Sequence, residues 1–406
     1  MNLTDTKTDW DEIIAQFSIN RDLIQLGASQ FFSSHPLPVT KAIHYHARQL
    51  NESPVLYTEE KENNLMQQCR EEIANYFGIA NPDEIAMTDS TTMGLGTIYT
   101  ALNLKPGEEI LTTDHDHYSQ HESIRNACNR TGASYRRFEM YKNLSEVTKE
   151  EIVDSVLREI SDQTKILGIT WVHSSSGLKI PVPEISKAVA KLNENRPPEK
   201  KIRIVVDGVH GFGIELETFP ELGCDFFITS GHKWLYGPRG TGFVAATHDA
   251  WQQVTPIIPS YTDTMDVVIE EEERPDFMDG KQMTPGGFHS LEYRWALADA
   301  FRFVNSIGKE NIYERVHALN RMCKTGLASM PHVKLHTPMD DELSAGIISF
   351  EVNGYSTPDV IKALLEKKII ATAAPYRTSW ARFTPGIINT EKEIEQALSA
   401  VWELKK

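Results

Sequence analysis

A chain of 406 residues with 41 Lys and Arg against 57 Asp and Glu is long enough for two domains, and its formal charge of −16 has the wrong sign for nucleic acid or an anionic membrane. Its 40% hydrophobic and 24% charged content is that of an ordinary water-soluble protein, and no run approaches the roughly 20 apolar residues of a membrane span. Residues 1–17 carry no basic n-region, apolar h-region or twin arginine, and four unpatterned cysteines fit a reducing compartment, so a cytoplasmic protein is expected.

Apolar residues recur with helical spacing over residues 64–77. Met87-Thr-Asp-Ser-Thr-Thr-Met-Gly then leads small hydroxyl residues into an apolar-periodic stretch over 95–102. A helix that begins this way offers hydroxyls and free N–H groups to a phosphate, although ordinary Ser/Thr capping writes the same letters. It lacks the Gly-Lys-Ser/Thr ending of a nucleotide P-loop. A strand end at Ile110-Leu111 precedes Thr112-Thr-Asp-His-Asp-His-Tyr, where the His117 imidazole can stack on a flat heteroaromatic ring. Metal binding by His115, Asp116, His117 and His121 competes with that reading. It lacks the second cluster of a closed ligand set, so no metal is expected. Helical spacing over 149–160, a strand-like run over 165–172 and a helix over 184–193 follow, then a surface link, Asn195-Arg-Pro-Pro-Glu-Lys-Lys.

Lys201-Ile-Arg-Ile-Val-Val-Asp reads as a strand over 202–206, buried on both faces and ending in Asp207. A carboxylate there lies where open α/β sheets place their ligands, and it can hold a protonated pyridine nitrogen. Strand-end aspartates are also ordinary caps and turn formers. His210, three residues on, is placed to reach the phenolic oxygen of such a ring. A second apolar run over 224–228 leads into Thr229-Ser-Gly-His-Lys-Trp-Leu-Tyr-Gly-Pro-Arg-Gly-Thr-Gly. Lys233 therefore lies just past a buried strand end, flanked by Ser230 and His232. A buried ammonium is costly unless paired or deprotonated, which suits an amine that forms a Schiff base. A surface lysine in a strand-to-turn link is the plainer alternative.

Beyond it come a strand over 242–246 and an acidic run over 270–275, read as a solvated loop or as the rim of a pocket for a basic substrate. A helix over 290–307 is expected to bridge to a smaller C-terminal domain, in which 345–352 reads as strand and 358–367 as helix. Such alternation predicts an α/β fold with parallel strands and helices on both faces.

In this order, the phosphate loop, His117, the Asp-x-x-His strand end and Ser-x-His-Lys resemble the class V aminotransferase-fold, pyridoxal-phosphate enzymes of fold type I. The similarity runs to the isopenicillin N epimerase-like and cysteine desulfurase-like branch and covers nearly the whole chain from about Leu26. It implies a large domain at 53–300 with a mostly parallel seven-stranded sheet flanked by helices, and a smaller α+β domain at 301–406. An N-terminal segment, 1–52, would pack on the small domain and lend its Leu26-Gly-Ala-Ser turn to the substrate entrance. The cofactor implied is pyridoxal 5'-phosphate, the substrate an amino acid, and the assembly a homodimer with sites at the subunit interface. By this resemblance Lys233 is the Schiff-base lysine and Asp207 the partner of the pyridine nitrogen. His210 stands near the ring oxygen and His117 stacks on the ring. Thr91, Thr92, Ser230 and His232 match phosphate-binding positions, and Ser174, in Trp171-Val-His-Ser-Ser-Ser-Gly, a cofactor contact.

The C-terminal Trp380-Ala-Arg-Phe-Thr-Pro-Gly-Ile-Ile-Asn-Thr matches the family's carboxylate-binding segment, with Arg382 as the guanidinium that grips the substrate and Arg377 read as a solvated neighbour. Met283-Thr-Pro-Gly-Gly-Phe-His stands where relatives carry a Gly-Thr that reaches the neighbouring subunit's phosphate, a task open to Thr284, Gly286 or Gly287. Desulfurases of this kind place a nucleophilic thiol shortly before the arginine. Here the cysteines are Cys69, Cys128, Cys224 and Cys323, and none follows Lys324. A persulfide-forming desulfurase is therefore not expected. Epimerase, transaminase and β-lyase remain, all beginning with Lys233 removing a Cα proton.

Overall fold

The computed structural model describes residues 8–261, 265, 269–270 and 277–405; of the acidic run over 270–275, only Glu270 lies within them. In chain order the strands are β1 (Ile24–Gln25), β2 (Ile85–Thr88), β3 (Glu109–Thr113), β4 (Ser134–Phe138), β5 (Thr164–Thr170), β6 (Arg203–Asp207), β7 (Phe226–Ser230), β8 (Gly242–Ala246), β9 (Val333–Leu335), β10 (Ile348–Val352), β11 (Ile369–Ile370), β12 (Thr372–Ala373) and β13 (Ala381–Phe383). Seven of these form one sheet in the order β2-β8-β7-β6-β5-β3-β4. It is parallel except for β8, which runs antiparallel to both its neighbours.

The apolar runs fill the centre of this sheet because both of its faces are covered. Side chains alternate across a strand, so Val205 enters one core and Val206 the other, and Phe226 and Phe227 divide in the same way. One core adds Ile73 and Phe77 of helix Pro54–Phe77 and Val182 and Ile185 of helix Val182–Asn193. The other adds Leu95 and Ile98 of helix Thr91–Ala101 and Ile124 of helix Tyr118–Thr131. Strand β4, Ser-Tyr-Arg-Arg-Phe, was not anticipated. It is an edge strand whose arginines pair with Glu109, Glu159 and Asp114, and such charge on an edge hides the strand pattern while deterring further pairing.

A smaller antiparallel sheet, β12-β13-β10-β9, packs on helices Lys309–Ala328, Thr357–Glu366 and Glu391–Trp402 around Leu319, Cys323, Phe350, Leu364, Phe383 and Ile394. The bridge between the cores differs from the expected helix. Leu297–Ile307 stops at Gly308, whose φ of 94° no ordinary L residue adopts easily. Lys309–Ala328 crosses instead, with Ile312 and Val316 in the large core and Leu319, Cys323 and Leu327 in the small one. The N-terminal segment is likewise shared. Strand β1 pairs with β11 and Leu26 enters the small core, but Val39 and Ile43 of helix Leu37–Glu52 belong to the large one.

The loop after β5 sits between the two sheets and depends on one glycine. Gly177 has φ 74°, donates its N–H to His173 O at 2.8 Å, and would place a Cβ 2.2 Å from Ile347 O. Both strain and a backbone clash oppose any side chain there. Gly177→Ala is expected to cost about 2 kcal/mol or more, read from urea unfolding; an unchanged midpoint would refute this account.

Candidate active site

Parallel strands β3, β5, β6 and β7 all end at the same edge of the sheet, where loops can carry side chains to a shared ligand. Those loops wall a cavity of about 210 Å³ together with the start of helix Thr91–Ala101. Its lining includes Thr91, Thr92, His117, Ser174, Asp207, His210, Ser230, His232 and Lys233. Every cofactor-site residue read from the sequence is thus in one place. Arg382, the expected substrate contact, lies behind this wall.

Lys233 Nζ stands 2.9 Å from His210 Nε2. Burial lowers the amine to about 8, with Asp207 acting to raise it and Arg382 to lower it further. Burial pushes Asp207 up to about 6, opposed by the Val209 N–H bond at 3.2 Å and by Lys233. His210 is held well below its ordinary value by burial and then by Lys233, so it is neutral at pH 7. His117 caps helix Tyr118–Thr131: the Ser119 amide donates to its Nδ1 at 3.2 Å, which leaves the proton of the neutral ring on Nε2. Burial lowers His117 and takes His232 down to about 4.

The helix beginning at Thr91 lies unusually close to the sheet. A Cβ on Gly94 would stand 2.7 Å from Ile228 Cγ2, so the glycine seats the helix start against β7. Ser90 caps it by accepting from Met93 N–H at 3.2 Å. Thr91 Oγ1, Ser230 Oγ, His232 Nδ1 and His210 Nδ1 are buried with no hydrogen-bond partner among the described residues. Buried polar atoms are rarely left so, and at this cavity they fit an anionic, hydrogen-bonding group. The neighbouring Asp207 carboxyl fits a basic ring nitrogen. This donor and acceptor set is that of a phosphorylated pyridine.

Arg382, on β13, is fully buried; its Nη2 donates to Ala373 O at 2.6 Å and its Nη1 to Ser174 O, while Nε has no partner among the described residues. Burial lowers this guanidinium to about 10. Arg377 is exposed. The competing metal reading dissolves into structural contacts. Asp116 accepts from Thr112 Oγ1, Thr113 N, Thr113 Oγ1 and Thr170 N at 2.8–2.9 Å, His115 stacks on Tyr141, and His121 Nε2 meets Thr113 O at 2.8 Å.

Two cavity neighbours escaped the sequence reading. Phe31 lines the cavity, and Leu26 enters the small core. Ser33 N–H donates to His232 O at 2.7 Å and fixes that segment beside Lys233. Tyr376 places its hydroxyl 2.6 Å from Ser174 Oγ. Neither stands in a recognisable motif. The Thr284 hydroxyl accepts from Met87 N at 3.1 Å and donates to Gly280 O at 3.0 Å. With Gly286 and Gly287 it borders a separate cavity of about 280 Å³ beside Arg70 and Arg294.

The family model for aminotransferase class-V matches residues 33–396. The chain belongs to the aminotransferase class-V family. It is accordingly a pyridoxal-phosphate-dependent enzyme. Isopenicillin N epimerase of Streptomyces clavuligerus is 24% identical over 405 residues, 97% of this chain and 98% of that protein. A probable cysteine desulfurase of Mycolicibacterium paratuberculosis is 25% identical over 82% of this chain and 48% of its own length. Among solved structures, a mutant of C-DES with glycine linked covalently to the PLP cofactor superposes with a TM-score of 0.84 at 21% identity, covering 96% of this chain and 98% of that one. C-DES is also described as a cystine C–S lyase, in complex with its product cysteine persulfide.

The electrostatics of Lys233 can be checked in the cofactor-free class V chain. Its amine should react with a small acylating reagent with a midpoint near pH 8, followed by mass spectrometry of the Lys233 peptide. Asp207→Asn removes the group that raises the amine and should move that midpoint down. Arg382→Met removes a group that lowers it and should move it up. A midpoint near the roughly 10.4 of a solvated lysine in all three proteins would contradict this picture.

Proposed function

We propose that this enzyme binds pyridoxal 5'-phosphate covalently through Lys233 and acts at Cα of an amino-acid substrate, as an epimerase or aminotransferase. The observation that carries the reading is a buried, pKa-lowered amine paired with neutral His210, at a cavity whose other walls suit a phosphorylated pyridine. The cofactor, when bound, supplies an electron sink that makes the Cα–H bond acidic. Everything else falls to the chain. Thr91, Thr92, Ser230 and His232 hold the phosphate, Asp207 the ring nitrogen and His210 the ring oxygen, Ser174 a cofactor edge, and His117 covers the ring. Arg382 holds the substrate carboxylate. Lys233 takes the Cα proton.

A homodimer with sites at the subunit interface goes with this reading, as does a division into residues 1–52, 53–300 and 301–406. Thr284, Gly286 or Gly287 would then reach the neighbouring subunit's phosphate. Four free, buried cysteines accord with a cytoplasmic location.

A β-lyase is the second reading, favoured by the likeness to the cystine C–S lyase C-DES. A persulfide-forming desulfurase is disfavoured by the thiols themselves. Burial pushes Cys69 and Cys323 up to about 12, Cys128 to about 11, and Cys224 higher still, so none is a ready nucleophile.

The purified protein should show a visible absorbance band, and borohydride should fix the cofactor to Lys233; a colourless protein with no fixed cofactor would sink the assignment. An amino-acid panel in D₂O then separates the reactions. Cα exchange with inversion marks an epimerase, a stoichiometric oxo acid without ammonia a transaminase, and an oxo acid with ammonia a lyase.

A further inference from the structure

Between β12 and β13 the chain passes through residues 374–380, and the tyrosine in that loop packs against two residues of the cavity wall. Tyr376 Oη lies 2.6 Å from Ser174 Oγ, and its ring meets the His117 ring edge-on with centroids 6.2 Å apart. Both partners wall the cavity. The tyrosine is partly buried although its neighbours Pro375 and Arg377 are exposed, so the loop turns this one side chain inward. Arg382 ties the same parts together, donating to Ser174 O on one side and Ala373 O on the other. Phenol, serine hydroxyl and guanidinium therefore form one group carried by the small sheet and the loop after β5. Lys233 and His210 arrive separately, from the loops after β7 and β6.

The Tyr376 phenol carries a proton. Burial pushes Tyr376 up to about 12, against the lowering effect of the Ser174 bond, so it keeps that proton at neutral pH. A protonated donor beside the cavity wall suits reprotonation and does not suit proton removal.

We propose that Tyr376 is the second proton carrier of this site, delivering a proton to Cα from the small-sheet side while Lys233 removes one from the large-sheet side. The proposal rests on the reading of Lys233 as the Cα base. The Cα–H bond breaks and its proton passes to Lys233 Nζ. A new Cα–H bond forms with the Tyr376 hydroxyl proton, leaving a phenolate that regains a proton from solvent through Ser174 Oγ. Lys233 returns its extra proton to solvent. No oxidant or reductant is needed, and the configuration at Cα inverts.

The test compares holoenzyme with Tyr376→Phe on an amino-acid panel in D₂O, with the two enantiomers resolved. The parent should place deuterium in both enantiomers. In the variant, inversion should fall by about 100-fold or more while labelling of the starting enantiomer is slowed far less. The absorbance band of the bound cofactor and the melting temperature of the cofactor-free chain should match the parent. Ser174→Ala, which keeps the phenol, should slow inversion less than Tyr376→Phe. Inversion at the parent rate in the phenylalanine variant overturns the proposal. A lost absorbance band or a lowered melting temperature does so too, since it marks a structural tyrosine. A parent that exchanges only with retention on every amino acid also overturns it and leaves the role of Lys233 standing. A parent that fixes cofactor at Lys233 yet exchanges nothing overturns both.

Discussion

Holding a carboxylate and an amine together, out of water, at the ends of two adjacent parallel strands is the constraint around which this molecule is arranged. Burial alone would neutralise both groups, raising Asp207 and lowering Lys233. Each partner partly offsets that effect on the other, so the two sit within reach of pH 7 from opposite sides. Such a balance survives only if the strand ends stay in place. β6 and β7 are pinned by their ladder, which pairs Asp207 with Ile228, and by apolar side chains packed on both faces. Asp116 adds a second tie. Its four accepted hydrogen bonds join the end of β3 to Thr170 at the end of β5, and His117 follows directly from it. A residue that looked like a metal ligand in the sequence is thus a clamp that aims a ring.

The legible parts of the sequence are those where one local signal sufficed. A short apolar run with no polar alternation, bounded by turn residues, reads as a strand covered on both faces, so β6, β7 and the position of Asp207 and Lys233 at or just past their ends were legible. A glycine-rich, hydroxyl-rich helix start marked Thr91 and Thr92 in the same way. What stayed hidden lacks a period of its own. β4 is masked by Arg136 and Arg137, which an exposed edge requires. The bridging helix was misplaced because the stop at Gly308 is a backbone event, with φ of 94°, inside an unbroken amphipathic pattern. Phe31 reaches the cavity and Tyr376 its wall residue Ser174 only because β1 pairs with β11 and because the turn between β12 and β13 folds inward. Those are long-range pairings, and two-residue strands leave almost no trace in sequence.

The chemistry left open by the sequence narrows at the thiols. Absence of a late cysteine was a statement about position alone. The structure adds a physical reason, since each cysteine that does exist is buried and shifted upward, away from the thiolate form. Nucleophilic sulfur transfer therefore lacks a nucleophile among the described residues, and the titratable groups at the cavity are those suited to moving protons.

Arg382 stands at the junction of the two sheets. A substrate carboxylate ordinarily meets a guanidinium with two parallel N–H donors to give. Here one N–H of each terminal nitrogen is bonded to a backbone carbonyl, Ser174 O from the loop after β5 and Ala373 O from β12, and Nε is buried without a partner among the described residues. The arginine thus fastens the small sheet to the large one. A carboxylate that approaches it must use the remaining donors or displace one of those carbonyls. Those carbonyls belong to the segments that carry Ser174 and lead into the Tyr376 loop, so guanidinium, serine and phenol are positioned together at the junction between the two sheets.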